Sequence, residues 1–193
     1  AVINQNLKVA IVGTRNPTRY GERIAGDFAA NFADRNISVI SGGAFGIDTC
    51  AHRGTLIAEG ETVAFLAGGL DHLYPSSNFA LFERIIESGA LISESPLGTI
   101  AHPSKFLIRN RLIAAFSKAT LVVEAASRSG SLRTALDAAK YHRNVFAIPG
   151  PITSPASEGC HRLIIDRVAE LVTTPLEIIE LIDSARFEQT MLG

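Results

Sequence analysis

The strongest constraint in this sequence is an alternation. Short apolar runs rich in valine and isoleucine recur along the chain, each followed by a longer stretch with helical spacing. The runs are Lys8–Gly13, Ser38–Ser41, Thr62–Leu66, Ala90–Ser93, Thr120–Glu124 and Asn144–Ile148, with a short seventh at Glu170–Thr173. Continuous apolar runs suit parallel strands covered on both faces. Helices are predicted at Tyr20–Asp34, Asp48–Glu59, Asn78–Glu87, Phe106–Ser117, Leu132–His142, Gly159–Arg167 and Pro175–Ile182. Strand followed by helix implies right-handed crossovers. The expected fold class is therefore α/β, a doubly wound, mainly parallel sheet in three α/β/α layers. A length of 193 residues fits a single domain over 1–193. The irregular stretches Ala67–Ser77, Ser95–Lys105 and Pro149–Ser157 read as functional loops.

Composition narrows the setting. The chain is 47% hydrophobic and 19% charged, enough apolar matter for a core without covalent staples. Its two cysteines, Cys50 and Cys160, do not form a disulfide framework. No apolar run approaches the ~18 residues of a membrane span, and the opening residues lack a signal-peptide pattern. A reducing cytoplasmic compartment and no membrane partner are expected. Neither a structural zinc spacing nor a defensible Ser-His-Asp set is visible, so no metal, cofactor or catalytic residue is expected.

In an open parallel sheet, ligands bind beyond the carboxyl ends of the strands. Two loops there have the glycines and helix starts that suit anions: Ser41–Gly46 and Ser127–Ser131. Hydroxyls of Ser41, Ser129 and Ser131 would add donors, and Arg15 follows the first strand. Ordinary turn and capping chemistry explains one such loop; two of them with an arginine favour phosphate. Neither a P-loop nor a dinucleotide fingerprint is present. Charge is also uneven. Between Ser95 and Leu136 lie Lys105, Arg109, Arg111, Lys118, Arg128 and Arg133, against the single acid Glu124, in a chain of net charge −1. Cations beside the Phe106 ring suit single-stranded nucleic acid, phosphates on the charges and a base on the ring. On a helix, however, Arg109 and Arg111 stand about 200° apart, so one of them is expected to be structural. Phe106 itself reads equally well as core.

These segments together resemble the DprA/Smf family of bacterial DNA-processing proteins of natural transformation. The matching pieces are IVGTR (Ile11–Arg15), SGGAFGID (Ser41–Asp48), YPSSN (Tyr74–Asn78), SESPLG (Ser93–Gly98), KFLIRNRLIAAFS (Lys105–Ser117), LVVEAASRSGSLRTA (Leu121–Ala135), VFAIPGPI (Val145–Ile152) and GCHRLI (Gly159–Ile164). They occur in family order over nearly the whole chain. The resemblance implies an extended Rossmann domain that binds single-stranded DNA, loads the RecA recombinase, forms a homodimer and carries no established catalytic turnover. Carried over by motif, the DNA contacts are Arg15, the loop Ser41, Gly42 and Gly43, Lys105, Phe106, Arg109 and Arg111. The anion-loop argument adds Ser129 and Gly130. Departures are Gly-Thr-Arg where Gly-Ser-Arg is commoner, and no small helical or winged-helix domain of the kind that often flanks the family core, so that an excised core is expected.

Two other classes compete. Phosphoribohydrolases of the lysine-decarboxylase-like type share this kind of fold, and Glu94 and Glu124 would supply acid and base. Their Pro-Gly-Gly-x-Gly-Thr-x-x-Glu signature is absent, and the same two carboxylates read more simply as caps or as partners of Arg109 or Arg111. A partner-binding scaffold would use Leu176, Ile179 and Leu181, whose helical spacing reads first as core.

Overall fold

In a computed structural model, residues 7–191 are described, with side chains through residue 183. Seven strands form one sheet: β1 (Lys8–Val12), β2 (Ser38–Ser41), β3 (Thr62–Phe65), β4 (Ala90–Ile92), β5 (Ala119–Val122), β6 (Asn144–Ala147) and β7 (Glu170–Leu171). Their order is β4-β3-β2-β1-β5-β6-β7, and every pairing is parallel. Seven α-helices alternate with them: α1 (Arg19–Ala33), α2 (Ile47–Ile57), α3 (Phe79–Ser88), α4 (Pro103–Phe116), α5 (Gly130–Lys140), α6 (Glu158–Ile165) and α7 (Pro175–Met191). The doubly wound three-layer expectation holds. Strand order reverses between β1 and β5, which makes that crevice the topological switch point.

The period of two along each strand builds the layers. Val9 and Ile11 of β1 and Phe146 of β6 join Phe28 and Phe32 of α1 on one face, with Leu121 of β5. Ala10 and Val12 of β1, Val122 of β5 and Ala147 of β6 face Ile113 of α4, Ala135 of α5 and Cys160 of α6 on the other. Leu81, Phe82 and Ile85 of α3 cover the β3 end. Burying a side chain of this size stabilises by about 1.5–3 kcal/mol, and both faces need it, which is why the runs read as continuous rather than alternating. Helix α7 adds Ile178, Ile179 and Ile182 to the first layer. Of the three apolar residues considered for association, Ile179 is therefore core, while Leu176 and Leu181 are exposed.

Beneath the sheet's surface sits an uncommon polar contact. The His52 ring on α2 is fully buried, its Nδ1 lying 2.7 Å from Thr62 Oγ1. The Thr62 hydroxyl donates to Val39 O, so His52 Nδ1 carries the proton and donates to Thr62. Nε2 is left without a hydrogen-bond partner. Burial, reinforced by the positive Arg109, pushes the imidazole pKa down to about 3. The native ring thus stays neutral where an unfolded chain, with a histidine pKa of about 6.5, would bind a proton. Stability is unaffected by His52 above that value and falls as pH drops through the window between the two, by up to about 1.4 kcal/mol per pH unit. Urea midpoints measured from about pH 7 to about pH 4 should show this acid limb in the wild type. The limb should be shallower in His52→Asn, which keeps a donor toward Thr62 but does not titrate.

Candidate nucleic-acid interface

The loop after β1 is fixed by its neighbours. Thr14 N–H donates to Glu124 O at 2.7 Å, and Ile47 N–H donates to Thr14 O at 3.1 Å. Gly46, with φ of 76°, opens α2 against this loop, where a Cβ would strike Thr14 O. Pinned in this way, the loop projects Arg15 into solvent. The Arg15 guanidinium lies over the Phe106 ring, 4.6 Å from its centre, and no carboxylate among the described residues pairs with it.

Arg15 and Phe106 border a cavity of about 720 Å³ at the switch point. Gly13, Thr14 and Arg15 come from the β1 loop, and Arg128, Ser129, Gly130 and Ser131 from the β5 loop. Phe106, Leu107 and Asn110 come from α4, and Tyr74 from the loop after β3. Ser129 caps α5, its Oγ accepting from Ser131 N–H at 3.3 Å and standing 2.7 Å from Ser131 Oγ. Gly130 is exposed at the helix start. A helix N-terminus, hydroxyls and Arg15 and Arg128, neither of which pairs with a carboxylate among the described residues, together attract anions. Tyr74, Phe106 and Leu107 add aromatic and aliphatic surface to the same cavity.

The second glycine loop does not serve this cavity as expected. Gly42 and Ala44 N–H groups both donate to Asp48 Oδ2, at 3.1 and 3.3 Å. Ser41 Oγ–H donates to Ile11 O at 2.7 Å, and Asn78 Nδ2 donates to Gly43 O at 3.1 Å. Ser41, Gly42 and Gly43 are all buried. The loop is an anion nest, but the anion it holds is its own Asp48. Burial raises the Asp48 carboxyl pKa, against the opposing pull of Arg109 and the two amides.

The basic cluster also divides. Arg109 is only 4% exposed; its Nη1 donates to Gly42 O at 2.7 Å and also to Phe65 O. A Cβ on Gly42 would collide with that guanidinium, so the glycine is there to admit it. Burial lowers the Arg109 pKa to about 10, which leaves it charged at neutral pH. Arg109 lines the cavity yet is tied to the fold. Arg111 points away and pairs with Glu94 at the surface. Lys105 borders a separate cavity of about 220 Å³ with Leu66, Glu94 and Ser95, toward β3 and β4. Arg133 pairs with Asp137, and Lys118 immediately precedes β5 at the opposite end of the sheet, its N–H donating to Lys8 O. Of the ten residues singled out from sequence, the structure brings Arg15, Phe106, Arg109, Ser129 and Gly130 to one groove. Ser41, Gly42 and Gly43 lie beneath it, and Lys105 and Arg111 stand apart. Thr14, Tyr74 and Arg128 line the groove without having been singled out. The YPSSN segment and the charge count carried the signal for Tyr74 and Arg128.

Glu124 is 3% exposed and accepts from Thr18 N–H at 2.9 Å and Thr18 Oγ–H at 2.6 Å, anchoring the start of α1. Strands β3, β2 and β1 separate β4, which precedes Glu94, from β5, which precedes Glu124. The two carboxylates do not converge. Among the described residues, no cluster of His, Cys, Asp or Glu has the arrangement of a metal site, and no helix is long and apolar enough to cross a membrane.

The family model for DNA recombination-mediator protein A matches residues 1–183. The chain belongs to the DprA/Smf family. A DprA protein of Mycobacterium tuberculosis is 51% identical over 90% of this chain and 44% of its own length. DNA processing protein A of Streptococcus pneumoniae superposes with a TM-score of 0.83 at 36% identity, over 91% of this chain and 62% of that one. The Helicobacter pylori protein, whose structure concerns its single-stranded DNA binding mode, superposes at 0.85 with 30% identity, over 93% and 81%. The DprA/Smf chain described here spans about half the length of the curated relatives it matches.

The division of the arginines has a stability consequence. Arg109→Met removes two buried hydrogen bonds and the positive charge near Asp48, at an expected cost of about 3–5 kcal/mol. Arg111→Ala breaks an exposed pair and should cost no more than about 1 kcal/mol. Urea denaturation of the two variants checks the contrast. Equal midpoints would remove Arg109 from its structural role.

Proposed function

We propose that this DprA/Smf chain holds single-stranded DNA in the groove between the β1 and β5 loops and α4, as part of processing incoming DNA in transformation. The observation that carries the reading is Arg15, exposed and unpaired, held over the Phe106 ring beside the α5 N-terminus. Phosphates would follow the wall of Arg15, Arg128 and Ser129–Ser131, neutralised by the cations and the helix end. Bases would turn to the aromatic wall, where stacking tolerates any sequence. Lys105, one turn before Arg109 on α4, lines the smaller cavity and would meet a strand continuing past the groove toward it. The Helicobacter relative's single-stranded DNA binding mode, at 30% identity, supports this class of ligand.

The finer parts of the reading are helping to load the RecA recombinase, acting as a homodimer and working in the cytoplasm without catalytic turnover. The phosphoribohydrolase alternative finds little support in the geometry. Glu124 is engaged with Thr18, Glu94 with Arg111, and Asp48, the one carboxylate among the described residues lining the groove, holds two backbone amides. Sedimentation at several concentrations tests the dimer.

Fluorescence anisotropy of labelled oligothymidine, set against a duplex of matched length, tests DNA binding. Binding should prefer the single strand and weaken with salt. Arg15→Ala should bind more weakly and lower the slope of log K against log salt by about 0.7, one phosphate's share on a single strand. Its urea midpoint should stay close to wild type, since an exposed cation–π contact contributes about 0.5–1 kcal/mol. An unchanged affinity and slope would remove Arg15 from the site. Salt-independent binding would overturn the DNA reading as a whole.

A further inference from the structure

The aromatic wall contains two rings, and they are not equally available. Phe106 is partly buried, with the Arg15 guanidinium 4.6 Å and the Arg109 guanidinium 5.8 Å from its ring centre. A base needs a free π face to stack on, and cations already occupy the surroundings of this one. Tyr74 differs. It is 48% exposed and meets Phe106 edge to face, with centroids 5.7 Å apart and an interplanar angle of 66°. Its hydroxyl makes no hydrogen bond among the described residues, whereas that of Tyr20 donates to Pro149 O at 2.8 Å.

The loop carrying Tyr74 is anchored at both ends of its approach. Gly69 N–H donates to Thr99 O at 2.8 Å, and Asp71 accepts from Gly98 N–H at 2.7 Å. Beyond Tyr74, Asn78 is buried and donates to Gly43 O and Thr49 Oγ1. The ring is therefore presented by braced backbone, and it lines the same cavity as Arg15 and Ser129.

Resting on the DNA reading above, we infer that Tyr74 is the base-stacking platform of the groove, and that Phe106 is a positioning residue which orients Arg15 toward phosphate. The ligand class at Tyr74 is an unpaired nucleobase of a single strand. The rings then divide the work: one aims a cation, the other receives a base. Because stacking uses a face and not a base edge, the platform accepts all four bases alike.

Two readouts separate this inference from the DNA reading. The chain contains no tryptophan, so Tyr74→Trp introduces a single indole whose emission reports stacking. Titration with oligothymidine should quench it. In anisotropy, Tyr74→Phe should bind within about twofold of wild type and Tyr74→Ala about tenfold more weakly, the range of one lost stack. The salt slope of Tyr74→Ala should equal that of wild type, because no charge is removed, in contrast to Arg15→Ala. If Tyr74→Ala does not fold, an oligonucleotide lacking bases, given to the wild type, must show the same loss. Wild-type binding with no indole quenching and no penalty for missing bases would overturn the platform and leave the DNA reading standing. A folded wild type that binds no single strand would overturn both.

Discussion

A buried guanidinium organises this molecule's working edge. Arg109 reaches from α4 under the switch point to the carbonyls of Gly42 and Phe65, joining a helix of one layer to the ends of β2 and β3. A charge placed so deep is tolerable only with hydrogen bonds and a counter-charge. The counter-charge is Asp48, which is itself held by the amides of Gly42 and Ala44. The glycine at position 42 follows from this, since a side chain there would occupy the guanidinium's space. So does the registration of α4 on the sheet, and with it the place of Phe106, three residues before Arg109. The SGG loop and the α4 arginine are thus one unit, a rigid floor for the groove above.

That unit explains why fold was more legible than site. Strands and layers follow from period-two burial, and β1 shows it plainly: Val9 and Ile11 enter one layer, Ala10 and Val12 the other. Differences were confined to ends. Helix α4 begins at Pro103, capped by His102, where the irregular reading ran on to Lys105. Proline at a first helical position is favourable because it lacks an N–H that would be unpaired there anyway, a signal present in the sequence. Helix α5 begins at Gly130 behind the Ser129 cap, and not at Leu132.

The site was legible as a neighbourhood and illegible as a set of contacts. Glycine, serine and arginine do the same chemistry toward an internal carboxylate as toward a phosphate. Residue type therefore could not separate the SGG loop, which holds Asp48, from the Ser127–Ser131 loop, which opens on the cavity. The distinguishing residue, Asp48, closes the very motif in question. The arginines posed the same difficulty. A turn of about 200° between Arg109 and Arg111 meant that both could not face one groove squarely. The fold assigns Arg109 to the interior and Arg111 to Glu94, so that neither side chain stands unpaired at the groove.

The charge excess around α4 therefore overstates the free charge at the groove. With Arg109 internal, Arg111 and Arg133 paired, and Lys118 at the other end of the sheet, Arg15 and Arg128 remain there, helped by the α5 N-terminus. A groove with so few free cations among the described residues has limited use of counterion release alone. On the proposed DNA reading, a single strand would be better served by this arrangement than a duplex, because its bases are free to add stacking to a modest phosphate term. The cation–π contact sharpens the modest term: an arginine already seated over a ring loses less rotamer freedom on meeting a phosphate than one moving freely in solvent. On the proposed reading, a groove with few charges, well aimed, beside aromatic rings would select for strand state rather than for sequence.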